Sequence, residues 1–195
     1  MVRISELEAS DFFKKLAGYD TLRLALAKKA ILVEGDSDEL VVQRAYMDAN
    51  DGRLPIQDGI DVISVGTAFL RFLELAKALN IPVAVVTDND GDPDALDKKY
   101  AAFKDDTSIR ICFDPEVDEG DLKVKDKPFN YNTLEPKLLK ANGLKALNAV
   151  LGTAAKTDDD LRLHMRSNKT ESALAIFAAE TAIRYPDYIT QAIAP

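Results

Sequence analysis

The chain has 195 residues, 47% of them apolar, with 33 acidic against 25 basic side chains and a net charge of −8. That size and apolar content suit one α/β domain plus a smaller appendage, while the charge excludes a stand-alone high-affinity duplex binder, whose grip comes from Lys and Arg displacing counterions. The single cysteine, Cys112, excludes an internal disulfide framework and a Cys-based zinc site, and no apolar run approaches the ~18 residues of a membrane span, so a soluble, cytoplasmic protein is expected.

In chain order, Ser5 and Glu8 read as a capping box, and Leu7, Phe12, Phe13 and Leu16 recur at helical spacing until Gly18. A second helix is expected over about 21–29. The run Ala30-Ile31-Leu32-Val33 is unbroken and apolar, as in a strand of a parallel sheet buried on both faces. Glu34-Gly35-Asp36-Ser37-Asp38 follows, with Asp36 expected as N-cap of a helix to about Ala49. A strand over 60–65, a turn at Gly66 and a helix over 68–79 come next. The strand Pro82 to Thr87 then delivers Asp88-Asn89-Asp90-Gly91-Asp92. A helix over 94–103, a strand over 109–113 and a charged irregular stretch over 114–127 lead to a short strand at 131–134. Glu135-Pro136 opens a helix there, and the remainder reads as helical. This alternation predicts a mostly parallel, Rossmann-like sheet flanked by helices, with right-handed crossovers and an additional helical subdomain.

The expected strand ends carry five acids: Glu34 with Asp38 one turn along, Asp88 and Asp90 on one face of an extended exit, and Glu135, directed by Pro136. Ligands of open α/β sheets bind beyond the carboxyl ends of the strands, so acids distant in sequence can meet there. Gathered in a partly buried site, such acids repel one another and call for hard divalent cations. Their number suffices for two ions about 3.5–4 Å apart, as in phosphoryl transfer. Each motif alone is more ordinary, a capped turn at Glu34 to Asp38 and a polar turn at Asp88 to Asp90; their order after buried strands is what makes them specific.

The segment Leu32-Val33-Glu34-Gly35-Asp36-Ser37-Asp38, with Gly66 and with Val85-Val86-Thr87-Asp88-Asn89-Asp90, resembles the Toprim domain of topoisomerases, primases and several nucleases. Thr133-Leu134-Glu135-Pro136 and Asn168-Lys169-Thr170-Glu171 resemble the carboxy-terminal region of OLD-family (overcoming lysogenization defect) nucleases. The resemblance implies an N-terminal helical segment over 1–29 that joins an ATPase domain in the full-length protein, a Toprim domain over 30–140 and a helical subdomain over 141–195. It implies a DNA nuclease that uses Mg²⁺ or Mn²⁺, with Ca²⁺ as a binder that does not support catalysis. Glu34 would be ligand and general base, Asp38 a ligand of one ion, Asp88 and Asp90 ligands of the other, and Glu135 a further ligand. Thr87 would touch the ions' water shell, Lys169 would stabilise the transition state, and oligomerisation would run through the full-length protein.

Lys169 also has a case from its position alone, since Asn168 and Glu171 cap a helix whose free N–H groups favour a phosphate; the plain alternative is a solvated surface lysine. Arg162 and Arg166 extend that face, and Lys123, Lys125 and Lys127 with Phe129 and Tyr131 offer charge and stacking to a nucleic-acid strand. His164, the only histidine, has no companion histidine. Competing readings are a phosphoacceptor receiver-like domain, which wants an adjacent acid pair after its first strand, and a calcium loop, which fails at Lys99 in the twelfth position. A Toprim-like metal-binding or coupling domain without catalysis is the third.

Overall fold

The computed structural model describes residues 19–195, so the helix expected before Gly18 lies outside the described residues. Nine helices surround a four-stranded parallel sheet in the described residues. Helix α1 (Tyr19–Leu26) leads into β1 (Lys29–Val33), α2 (Asp36–Ala49), β2 (Ile60–Ser64), α3 (Phe69–Leu79), β3 (Val83–Val86), α4 (Pro93–Lys99) and β4 (Ile109–Cys112). The sheet order is β2-β1-β3-β4, with Ile31 opposite both Val62 and Ala84, and Val85 opposite Ile111.

The unbroken apolar strands are explained by burial on both faces. Ile31, Val33, Val62, Ala84, Val86 and Cys112 point to one side, and Ala30, Leu32, Ile63, Val83, Val85 and Ile109 to the other. The second face packs Leu24 of α1, Phe69, Phe72 and Leu73 of α3, and Tyr100 and Phe103. The first face carries α2 and the five carboxy-terminal helices: α5 (Leu134–Asn142), α6 (Leu144–Leu151), α7 (Asp158–Ser167), α8 (Lys169–Phe177) and α9 (Asp187–Ile193). Leu138, Leu147, Leu161, Met165, Ile176 and Ile189, all buried, form one core with the sheet. At roughly 1.5–3 kcal/mol for each fully buried large aliphatic side chain, that shared core ties the carboxy-terminal helices to the sheet. Cys112 is buried within it, and burial pushes its thiol up to about 11, as expected of core filler.

Three sequence expectations differ from the structure. The short strand at 131–134 does not form: Asn132 is bound sideways to Asp118, with its Nδ2 donating to the Asp118 carbonyl at 3.0 Å and its Oδ1 accepting from the Asp118 N–H at 2.7 Å. The stretch expected to be irregular instead contains an antiparallel hairpin, β5 (Lys123–Val124) and β6 (Lys127–Pro128). The N-cap of α2 is Gly35, so Asp36 is the first helical residue; Asp38 reaches back to accept the Gly35 N–H at 3.1 Å. No helix among the described residues is long and apolar enough to cross a membrane.

Helix α2 leaves β1 on one face and α4 leaves β3 on the other. Adjacent strands whose continuations part in this way open a crevice at their carboxyl ends. Glu34 and Asp88 follow those two strands closely.

Candidate active site

A cavity of about 350 Å³ at this crevice is lined by Glu34, Asp38, Asp88, Glu135 and Lys169, with Gly35, Asp36, Ser37, Leu134 and Thr170 completing its wall. Four of the five predicted acids and the predicted lysine therefore meet. They come from the end of β1, the first turn of α2, the exit of β3, the first turn of α5 and the start of α8.

Glu135 stands on a helix instead of at a strand end. Thr133 is the N-cap of α5, Leu134 its first residue, and Glu135, buried, accepts from the Thr133 hydroxyl at 3.2 Å and faces Lys169 Nζ at 3.1 Å. Lys169 opens α8 as expected, but the cap differs: Asn168 turns its side chain back to donate to the His164 carbonyl at 2.8 Å, closing α7 instead of capping α8. His164 is exposed and does not line the cavity.

Asp90 is the acid that the cavity does not include. β3 ends at Val86, and Asp90 has a φ of 49°, so the chain turns where an extended exit was expected and Asp90 swings outward. Its carboxylate accepts from Asn130 Nδ2 at 2.7 Å. Asn89, read in the sequence only as a turn residue, is buried and staples this loop: its Nδ2 donates to the Asp114 and Glu116 carbonyls and its Oδ1 accepts the Gly91 N–H at 2.9 Å. Asp92 caps α4, accepting the Ala95 N–H at 3.0 Å, which accounts for it without a calcium loop. Thr87 is buried behind the wall, and its hydroxyl donates to Glu34 Oε1 at 2.6 Å. It thus orients the glutamate.

The electrostatics follow from burying like charges together. Burial, then Glu34 and Glu135, raise Asp38 to about 6, partly opposed by the Gly35 N–H and by Lys169. Asp88 is pushed up further, first by burial and then by Asp38, Glu34, Glu135 and Asp90. Lys169 moves the other way. Burial works against its charge, but Glu135, followed by Asp88 and Asp38, outweighs that and holds the ammonium on.

Among the described residues no group of three or more His, Cys, Asp or Glu is arranged to hold a metal ion as it stands. Each acid but one is engaged by a protein donor: Glu34 by Thr87, Asp38 by the Gly35 N–H, Asp90 by Asn130 and Glu135 by Lys169. Asp88 has no such donor among the described residues, and burial with four acidic neighbours destabilises its charge. All the donors are oxygens, the set that suits Mg²⁺, Mn²⁺ or Ca²⁺ over zinc.

Residues 26–90 match the family described as overcoming lysogenization defect protein-like, TOPRIM domain. This segment is therefore similar to an OLD-like Toprim domain. It holds β1 to β3 and four of the five predicted acids. The chain is also similar to the solved C-terminal region of the OLD protein of Xanthomonas campestris pv. campestris, with 25% identity, a TM-score of 0.55, and 88% of this chain and 92% of that one covered. The C-terminal region of the Burkholderia pseudomallei OLD protein shares the fold at a TM-score of 0.59, with 24% identity over 86% of this chain and 95% of that one. Those similarities extend well beyond residues 26–90. No curated protein matches.

Proposed function

We propose that this chain is the catalytic part of a divalent-metal-dependent DNA nuclease that hydrolyses phosphodiester bonds, and that in the full-length protein it follows an ATPase domain. The observation that carries this reading is the partly buried carboxylate cluster with Lys169 at its rim, set at the switch point of an OLD-like Toprim sheet. Glu34, Asp38, Asp88 and Glu135 would hold two Mg²⁺ or Mn²⁺ ions, and Asp90 would join them once its loop is drawn inward from Asn130. When bound, such ions neutralise the acids and stabilise the charge on attacking and leaving oxygens.

The chain's own groups supply the rest. Thr87 fixes one Glu34 oxygen, leaving the other free to accept a proton at the cavity mouth. Lys169 keeps its charge and stands on the first residue of α8, where helix N–H groups also favour a phosphate oxygen. Release of Lys169 from Glu135 frees it for the substrate.

The test is cleavage of supercoiled plasmid by the purified chain in Mg²⁺, Mn²⁺, Ca²⁺ or EDTA. Nicked or linear product is expected only with Mg²⁺ or Mn²⁺, and Lys169→Ala is expected to cut the rate by roughly 10²–10³-fold, the scale of losing one preorganised charge-stabilising donor. Cleavage that persists in EDTA, or that Lys169→Ala leaves unchanged, contradicts the reading.

A further inference from the structure

Beside the cavity lies a second groove, of about 360 Å³, that the cluster of acids does not enter. Its wall is Val124, Lys125, Lys127, Pro128 and Phe129 of the β5–β6 hairpin, with Asn130, and on the other side Arg166 of α7. From this geometry we infer that the groove holds the sugar-phosphate backbone of the DNA next to the bond being cut. The inference rests on the nuclease reading for the identity of its substrate.

Charge is the first argument. The chain has eight more acids than cations, and several of its cations are neutralised in ion pairs, as with Arg23 and Asp61, Arg162 and Asp159, and Lys140 and Asp118. Lys125, Lys127 and Arg166 are exposed and make no ion pair among the described residues, and Lys123 at the start of the hairpin is the same. Unpaired cations concentrated along one groove of an acidic protein leave a local field that suits phosphate.

Rigidity and continuity are the second. The Phe129 N–H donates to the Leu122 carbonyl at 2.8 Å, and the Leu122 N–H donates to the Tyr131 hydroxyl at 3.0 Å. The Tyr131 ring lies 5.1 Å beneath the Arg162 guanidinium and edge-on to Phe129. Gly120 permits this packing, because a Cβ there would collide with the Tyr131 ring and hydroxyl. At the hairpin tip Lys125 and Asp126 have φ values of 50° and 64°, a left-handed pair that ordinarily selects Asn and Gly. The fold holds a lysine in this costly conformation at the groove's lip. Asn130, which lines the groove, donates to Asp90, and Arg166 precedes Lys169 by three residues. Asn130 and Arg166 thus tie the groove to the Asp90 loop and to the turn that leads into Lys169. Phe129 and Tyr131 are both buried, so the base stacking expected from the sequence is replaced by contacts to phosphate.

The experiment is equilibrium binding of short fluorescein-labelled DNA, single-stranded and duplex, followed by anisotropy in EDTA across a salt series, so that binding is read whether or not the chain cuts. The combined variant Lys125→Ala, Lys127→Ala, Arg166→Ala is expected to bind at least about tenfold more weakly at low salt. Its plot of log affinity against log salt should be shallower by about 0.9 for each duplex phosphate no longer neutralised, or about 0.7 on a single strand. Arg166→Lys, which keeps the charge, should restore most of the Arg166 share. Lys104→Ala, which removes an exposed charge from the loop before β4, at the amino ends of the strands and away from the carboxyl ends that carry the cavity, should bind as the parent does. Parental affinity and slope in the combined variant, an equal loss from Lys104→Ala, no DNA binding by the parent, or tighter binding of RNA of the same sequence would each overturn the inference.

Discussion

Asp88→Asn is expected to abolish plasmid cleavage and, in EDTA at neutral pH, to make the chain more stable. Both effects have one cause. Asp88 is held near Glu34, Asp38, Glu135 and Asp90 with no hydrogen-bond donor of its own among the described residues, and burial followed by these neighbours disfavours its charge. Replacing the carboxylate with an amide of the same shape removes the repulsion. The same change removes the acid least satisfied by protein and therefore most available to a cation. Chemical denaturation in EDTA measures the first effect and plasmid nicking the second; a variant that unfolds at lower denaturant than the parent contradicts the account.

The pH dependence separates this from ordinary repacking. Asp38 is raised to about 6, so between its unfolded value and about 6 the folded chain binds more protons than the unfolded one. The contribution of this group to stability thus grows as pH falls from about 7 toward about 4, and is lost as pH rises through about 6. Acidification should narrow the stability gap between the parent and Asp88→Asn, because protons then do what the substitution does.

Lys137→Met is the second large effect, and it falls on stability and site together. The Lys137 ammonium is 3% exposed, 2.7 Å from both Asp114 and Asp118, and donates to the Glu116 carbonyl at 3.0 Å. Breaking a buried pair by deleting one partner costs roughly 3–5 kcal/mol. Here Lys140 remains on Asp118 and the acids are partly exposed, so a loss of about 2–3 kcal/mol is expected. The loop it anchors offers the Asp114 and Glu116 carbonyls to Asn89, which sits between Asp88 and Asp90. Slower cleavage should accompany the lower urea midpoint. A stability within about 0.5 kcal/mol of the parent's, the range of neutral surface changes, would contradict the clamp.

What the sequence made legible follows from which forces act locally. Four apolar strands with acids after the first and third could be read directly, because burial on both faces leaves an unbroken apolar run and a polar stop. Glu34, Asp38 and Asp88 were legible for that reason. Glu135 was legible as a residue but not in its setting, since Asn132 trades a strand's ladder for two bonds to Asp118, a pairing no local pattern reveals. Asp90 turned away because Asn89, its neighbour in the loop, is bonded to carbonyls 25 and 27 positions later. Lys137 was missed altogether. A lysine on an amphipathic helix reads as solvated, and only the folded 114–118 loop supplies the acids that bury it. The hairpin was hidden for a similar reason, as Lys-Asp is not a turn pair that sequence patterns favour.

The central claim is that the acids of this cavity hold divalent cations, and calorimetric titration of Mn²⁺ into the metal-free chain tests it most directly. The account predicts saturable binding at neutral pH that weakens as pH falls through about 6, where Asp38 takes up its proton, and that Asp88→Asn loses. No binding, or binding that Asp88→Asn leaves intact, would contradict it.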